Sequence, residues 1–257
     1  MTASAMVEQT RRALGRVGAA LPSATGQAPV SLQCDAIRRL EQTGYRSAWV
    51  NEVIGKDALV QAALLLAATD RLVVGTGVAN IWSRPAQTAH GAAAQLAEAY
   101  TGRVVLVLGV GWPQHAASVG RTFGRPLTTM RNYLDQMAAP SPGQLQAPDG
   151  RYPRIVGANG PKMLALAGQA IDGAMPAMQP RASTLEARRL LGPDKLLVVL
   201  IDTSAAQGDA HAIAQTVREH LHAGADHIVA AVSMGSDFTD GLNHLVTLGS
   251  ALADVTA

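Results

Sequence analysis

Two stretches decide the architecture: Leu72-Val73-Val74-Gly75-Thr76-Gly77-Val78 and Val104-Val105-Leu106-Val107-Leu108-Gly109-Val110. Both are apolar at nearly every position and show no apolar–polar alternation. A strand reads this way when it is buried on both faces, as in a parallel sheet covered by helices. Between them, Ala86 to Tyr100 has a helical composition and is followed by Gly102. Neighbouring parallel strands need such a crossover.

The pattern repeats in both directions. Leu14 to Leu21, Ser47 to Val50, Arg154 to Ala158, Gly173 to Met178, Leu196 to Ile201 and His227 to Val232 read as further strands, making eight. Helical segments separate them. Val30 to Thr43 stops at Gly44, a good residue just past a helix end. Asp57 to Thr69 opens with an Asp cap and Thr128 to Ala138 with a Thr cap. Pro161 to Gln169 begins with proline, whose missing N–H costs nothing there. Arg181 to Leu191, Asp209 to Ala223 and Thr239 to Leu252 complete the series. Eight strand–helix units in 257 residues predict a TIM-type (β/α)8 barrel as a single domain over 1–257, with residues 1–13 as an N-terminal extension. An open nucleotide-binding sheet would carry G-x-G-x-x-G, but Gly75-Thr76-Gly77 and Gly109-Val110-Gly111 each lack the third glycine, and there is no Gly-Lys-Ser/Thr. Ala139 to Tyr152, rich in Pro, Gly, Gln and Ser, is expected to form a loop over the active face.

Composition narrows the function. Charged residues are 16% and the net charge is +2, with no basic run to suggest nucleic acid. The sparse charge and abundant alanine suggest helix faces buried in a homodimer. The single cysteine, Cys34, excludes an internal disulfide, and no Cys/His set has zinc spacing, so no metal is expected. The N-terminus lacks a basic region followed by an apolar core, and the apolar run Leu59 to Ala68 is too short to span a bilayer. A cytoplasmic protein with no membrane partner is the expectation.

In such a barrel the site lies at the C-terminal ends of the strands. Gly157-Ala158-Asn159-Gly160 leads into a proline-started helix, where free N–H groups and the helix dipole favour a phosphate; a plain small-residue turn would look the same. Gly109, Gly111 and Trp112 end the fourth strand, where glycines admit a flat ligand that Trp112 could stack on. Glu52 and His115 are the titratable candidates for catalysis. Asn51, Trp82, Gln114 and Met178 also follow strand ends and are candidates for a substrate pocket. His90 reads as structural, and His211, His220, His222 and His244 as solvated. With no acid pair and no metal set, an organic cofactor is expected to carry the chemistry.

Three blocks then resemble a known family. Gly75-Thr76-Gly77-Val78-Ala79-Asn80-Ile81-Trp82, Leu96-Ala97-Glu98-Ala99-Tyr100-Thr101-Gly102-Arg103 and Leu106-Val107-Leu108-Gly109-Val110-Gly111 are similar to the luciferase-like monooxygenase superfamily, most of all its actinobacterial F420-dependent branch. Asn159-Gly160-Pro161-Lys162-Met163-Leu164 and Ala223-Gly224-Ala225-Asp226-His227 match later family stretches. The resemblance implies hydride exchange between a small-molecule substrate and coenzyme F420, or FMN in sister branches. It implies a non-proline cis peptide at Gly77-Val78 backing the ring, Asn80 beside it, and the phosphate on Gly157, Ala158, Asn159 and Gly160. The chain departs from the sugar-phosphate dehydrogenases of that branch: Asn51-Glu52 replaces their Asp-His pair, and Gln114, next to His115, replaces their glutamate. It is also shortened between strand seven and the last helices, at Ile201 to Gly208. Three readings follow: an F420-dependent oxidoreductase, an FMN-dependent monooxygenase served by a flavin reductase, and a shortened non-catalytic paralogue.

Overall fold

The computed structural model describes residues 2–23, 28–139, 150–204 and 209–252. In chain order the elements are α1 (Ala3–Leu14), β1 (Val17–Ala20), α2 (Val30–Gln42), β2 (Ser47–Val50), α3 (Ala58–Ala67), β3 (Val73–Thr76), β4 (Ala79–Asn80), α4 (Ala86–Ala99), β5 (Val104–Gly109), α5 (Pro113–Ala117), α6 (Pro126–Ala138), β6 (Arg154–Gly157), α7 (Pro161–Ala170), β7 (Gly173–Met175), α8 (Arg181–Leu191), β8 (Leu196–Asp202), α9 (Ala210–His222), β9 (His227–Ala231) and α10 (Phe238–Ala251). Every pairing is parallel, in the order β3-β2-β1-β9-β8-β7-β6-β5-β4, and a β3–β5 pairing closes the ring. β3 and β4 are two pieces of one barrel strand: Val74 pairs with Val104 and Ala79 with Leu108, on the same neighbour. The cis peptide Gly77–Val78 lies between the two pieces. This is a closed barrel of eight parallel strands wrapped by helices, the TIM-type fold expected.

Several boundaries differ from the sequence reading. The first strand begins at Val17, because Leu14 ends α1 and Gly15 turns the chain at φ 68°. Most of the expected N-terminal extension is thus helix α1, capped by Thr2, whose Oγ1 accepts from Ala5 N. Its Val7 and Leu14 pack into the barrel-interior cluster, so α1 stoppers the N-terminal end of the barrel. α6 begins at Pro126, two residues before the expected Thr cap; proline takes the first helical position and Thr129 bonds back to Arg125 O. The short α5 was not anticipated. Of the proposed loop from Ala139 to Tyr152, residues 140–149 lie outside the described residues, as do 205–208 of the shortened segment. His220 and His244 are not simply solvated: they bond Thr184 and Thr203. His90 is structural, as expected, meeting the Tyr152 hydroxyl at 2.6 Å. Among the described residues no helix is long and apolar enough to cross a membrane.

The lower barrel is filled by one large side chain. Trp49 is fully buried, and a Cβ on Gly75 would stand 2.3 Å from its ring, so glycine on the adjoining strand makes room for the indole. The Trp49 Nε1–H reaches Ser47 Oγ and His227 Nε2, each at 3.2 Å. Ser47 Oγ lies 3.0 Å from the same His227 nitrogen, and His227 Nδ1–H donates to Gly15 O at 2.8 Å. The imidazole therefore donates at Nδ1 and accepts at Nε2, as only its neutral form can.

Burial pushes the His227 pKa down to about 4, against a smaller opposing effect of the Gly15 carbonyl. The unfolded chain binds this proton near the ordinary histidine value and the folded chain only below it. The stabilisation is complete above about pH 6.5 and is lost as pH falls toward 4, by about 3 kcal/mol. Urea unfolding at pH 7.5 and 4.5 checks this. His227→Gln should flatten the difference, and an equal acid loss in the variant would place its origin elsewhere.

Candidate active site

The C-terminal mouth of the barrel is floored by the β3–β4 break. Gly77 N–H donates to Val50 O at 2.6 Å, and Glu52 N–H donates to Val78 O at 3.1 Å, so the break is stitched to β2 on both sides of the cis bond. The half-buried Val78 packs at the upper end of the interior cluster with Ala20 and Ala177. A Cβ on Gly109 would lie 2.3 Å from Val78 Cγ2, and one on Gly157 3.2 Å from Cγ1. Val78 occupies the space that two neighbouring side chains would otherwise take. The mouth thus presents a small apolar floor flanked by bare backbone, the form a planar ring can approach closely.

Glu52 has a different place from the proton-exchanging one expected of it. Its side chain is 2% exposed and ion-paired to Arg84. Its Oε1 also accepts from Ala58 N at 3.1 Å, at the start of α3, and its Oε2 accepts from Asn80 N in β4. Arg84 continues to Asp57 Oδ2 at 2.9 Å, while Asp57 Oδ1 caps α3 through Leu59 N and Val60 N. With its lone pairs committed to four donors, Glu52 is a strut holding the β2 exit, β4 and α3 together. Arg84 was missed in the sequence reading; its signal was an arginine directly before the Pro85 helix start, which pattern alone does not pair with a carboxylate thirty-two residues earlier.

The β5 exit lies against this strut. Asn80 Oδ1 accepts from Trp82 N at 3.0 Å, and a Cβ on Gly111 would lie 2.8 Å from Asn80 Nδ2 and 2.9 Å from His115 Nδ1. Gly111, at φ 56°, therefore passes in a tight and left-handed turn between these two side chains. His115 Nδ1 accepts from Trp112 N at 3.1 Å, so its neutral ring carries the proton on Nε2. Trp112 is 71% exposed and free to meet a ligand, and Gln114 is exposed beside it. Trp82, expected to wall a pocket, is instead buried against Phe123 and donates from Nε1 to Val110 O at 2.8 Å.

On the opposite side, the β6–α7 turn has the expected form. Gly160 is the N-cap of α7 with proline following, and a Cβ there would meet nothing within 4 Å. Ala158 N bonds Met175 O, and Asn159 Oδ1 accepts from Ala177 N at 2.8 Å, which ties the turn to β7. The N–H groups of Asn159 and Gly160 themselves meet no acceptor among the described residues. Met178 is half-exposed at φ 55° past β7, and Asn51 lines a cavity beside α3 and accepts from Ser23 Oγ.

The luciferase-like monooxygenase family matches residues 13–191. The chain belongs to this family. Among its relatives, a 5,10-methylenetetrahydromethanopterin reductase of Methanolobus tindarius is 28% identical over 151 residues, 52% of this chain and 46% of that protein. A putative coenzyme F420-dependent oxidoreductase of Mycobacterium tuberculosis is 28% identical over 181 residues, 59% of this chain and 52% of the other. The matched region thus spans about half the length of these curated relatives. Solved structures share the fold: an F420-dependent secondary alcohol dehydrogenase, solved with an F420–acetone adduct, superposes with a TM-score of 0.74 at 16% identity, over 93% of this chain and 99% of that one. The FMN-bound oxygenating constituent of a Pseudomonas putida diketocamphane monooxygenase gives 0.71 at 12% identity, over 95% and 98%.

If Glu52 is a strut, Glu52→Gln should cost about 3 kcal/mol, the range for leaving a buried charge short of its partner. The exposed Trp112→Ala should change stability by less than about 0.5 kcal/mol. Urea midpoints of the two variants give the comparison, and an equal effect would return Glu52 to the list of dispensable mouth residues.

Proposed function

We propose that this protein is a coenzyme F420-dependent oxidoreductase that exchanges a hydride with a small organic substrate. The observation that carries it is the pairing of a cleared apolar floor, Val78 between Gly109 and Gly157, with the unengaged N–H groups of Asn159 and Gly160 at the start of α7. The similarity to the M. tuberculosis protein supports the same reading. A flat ring fits the first feature and a phosphate the second.

The deazaflavin, when bound, would supply the hydride chemistry. The chain's own residues do the rest. Val78 backs the ring, with Gly77, Asn80, Gly109 and Gly111 keeping the space around it small-sided. Gly157, Ala158, Asn159 and Gly160 offer backbone to the phosphate. Trp112 shields the mouth from water. His115, with Nδ1 held by Trp112 N–H, presents its Nε2–H as a hydrogen-bond donor to a substrate oxygen. Asn51, Gln114 and Met178 form the substrate rim, while Glu52 and Trp82 support it from behind. Two copies are expected to pair, which sedimentation at twice 26.6 kDa would show.

Gly160→Asp tests the phosphate site, because its two effects have opposite sign. The side chain meets no neighbour and caps α7, so stability holds or rises slightly. Its charge at the helix N-terminus should weaken F420 binding at least about tenfold. Fluorescence titration of the wild type with F420 and FMN reads the cofactor choice. Preference for F420 supports the reading, preference for FMN moves it to a monooxygenase, and binding of neither leaves a non-catalytic paralogue.

A further inference from the structure

Next to the stitched β2 exit, between the ends of β1, β2 and β9 and the helices α2, α3 and α10, lies a cavity of about 570 Å³. Apolar side chains make most of its wall, Val30, Val53, Val60, Leu64 and Phe238 among them. Such a volume and lining suit one small organic molecule.

The polar side chains on this wall are engaged with one another, with a single exception. Ser23 Oγ donates to Asn51 Oδ1 at 2.5 Å. Gln61 donates to Gln33, which donates in turn to Ala28 O. Asp57 holds the start of α3 with one oxygen and the Arg84 guanidinium with the other. The exception is Lys56, which also lines the cavity. Its ammonium has no hydrogen-bond or ion-pair partner among the described residues. It is accessible as well: Lys56 is half-buried, and its Nζ is not among the closed-off polar atoms of the molecule.

A lysine usually buries its stem and carries its charge out to bulk water. Here burial reaches the ammonium itself and lowers its pKa, against a smaller opposing effect of the Glu52 carboxylate. Glu52 and Asp57 do not answer the charge, because both are spent on Arg84. A partly desolvated cation on an apolar wall lacks one thing, an anion whose remainder is apolar.

We infer that this cavity takes a mainly apolar small molecule ending in a carboxylate, and that Lys56 is the specificity residue that pairs with it. The apolar part lies against Val60, Leu64 and Phe238. A neutral molecule of the same shape fills the same space and forgoes the charged hydrogen bond, so it binds less tightly. Naming the occupant as the substrate of the hydride exchange rests on the oxidoreductase reading, whereas the charge requirement rests on the cavity alone.

Two probes of nearly equal shape, 1-naphthylacetate and 1-naphthylacetamide, separate charge from fit when titrated into the full chain by calorimetry. The wild type should prefer the carboxylate by about tenfold. Lys56→Met should abolish that preference by weakening the carboxylate, while the amide stays within about twofold. Leu64→Trp narrows the cavity and should weaken both probes at least about fivefold, which locates them there and not on the ring floor. Equal binding of the two probes to the wild type, binding of neither, a preference that survives Lys56→Met, or indifference to Leu64→Trp would overturn the assignment. F420 titrated alongside should bind the wild type and Lys56→Met alike. Absence of F420 binding in both, with the carboxylate preference intact in the wild type, would overturn the oxidoreductase reading and leave the cavity assignment standing.

Discussion

The Glu52 carboxylate is the point on which the mouth of this barrel depends. A β-barrel closes only if each strand pairs with its neighbour, yet here the third strand is broken after Thr76 and resumes at Ala79. The break would leave the start of β4, the start of α3 and the guanidinium of Arg84 each in need of an acceptor. One buried carboxylate serves all three. Burying a charge is expensive unless it is paired and fully bonded. Glu52 meets that condition, which is why a titratable residue at a strand end has become an immobile part of the frame.

The two ends of the barrel are built on opposite uses of glycine. Below, Gly75 gives up its side chain so that Trp49 can fill the interior, and the indole closes a polar cluster with Ser47 and His227. Above, Gly109 and Gly157 give up theirs so that Val78 can lie against them. Close packing below gives rigidity, and bare backbone above gives a surface that something else can cover. α1 stoppers the lower end.

Much of the frame was legible in the chain itself. The unbroken apolar runs at Val73 and Val104 mark strands buried on both faces, and all eight barrel strands overlap the segments read as strands. The glycines at 109 and 157 and the turn at Asn159-Gly160 could be ranked as candidates because they end strands at the mouth, although crowding by Val78 is a structural reason for both glycines that only the fold displays. What failed were assignments that depend on a distant partner. Trp82 reads as a pocket wall until Val110 O is seen to take its N–H. Residues 3–14 read as an extension because their few apolar positions, Val7 and Leu14 among them, make sense only when the open end of a barrel is there to receive them.

The sequence by itself determined the fold class and the family and named the strand ends as the expected site, because hydrophobic period and glycine placement are local properties that survive without a partner. Only the tertiary structure decided what each polar side chain does there. Glu52 and Arg84 are thirty-two positions apart, Gln33 and Gln61 twenty-eight, and His227 meets Gly15 across almost the whole chain. Whether a buried carboxylate is an acid or a strut depends on which atoms the closed barrel brings within about 3 Å, and chain order does not contain that distance.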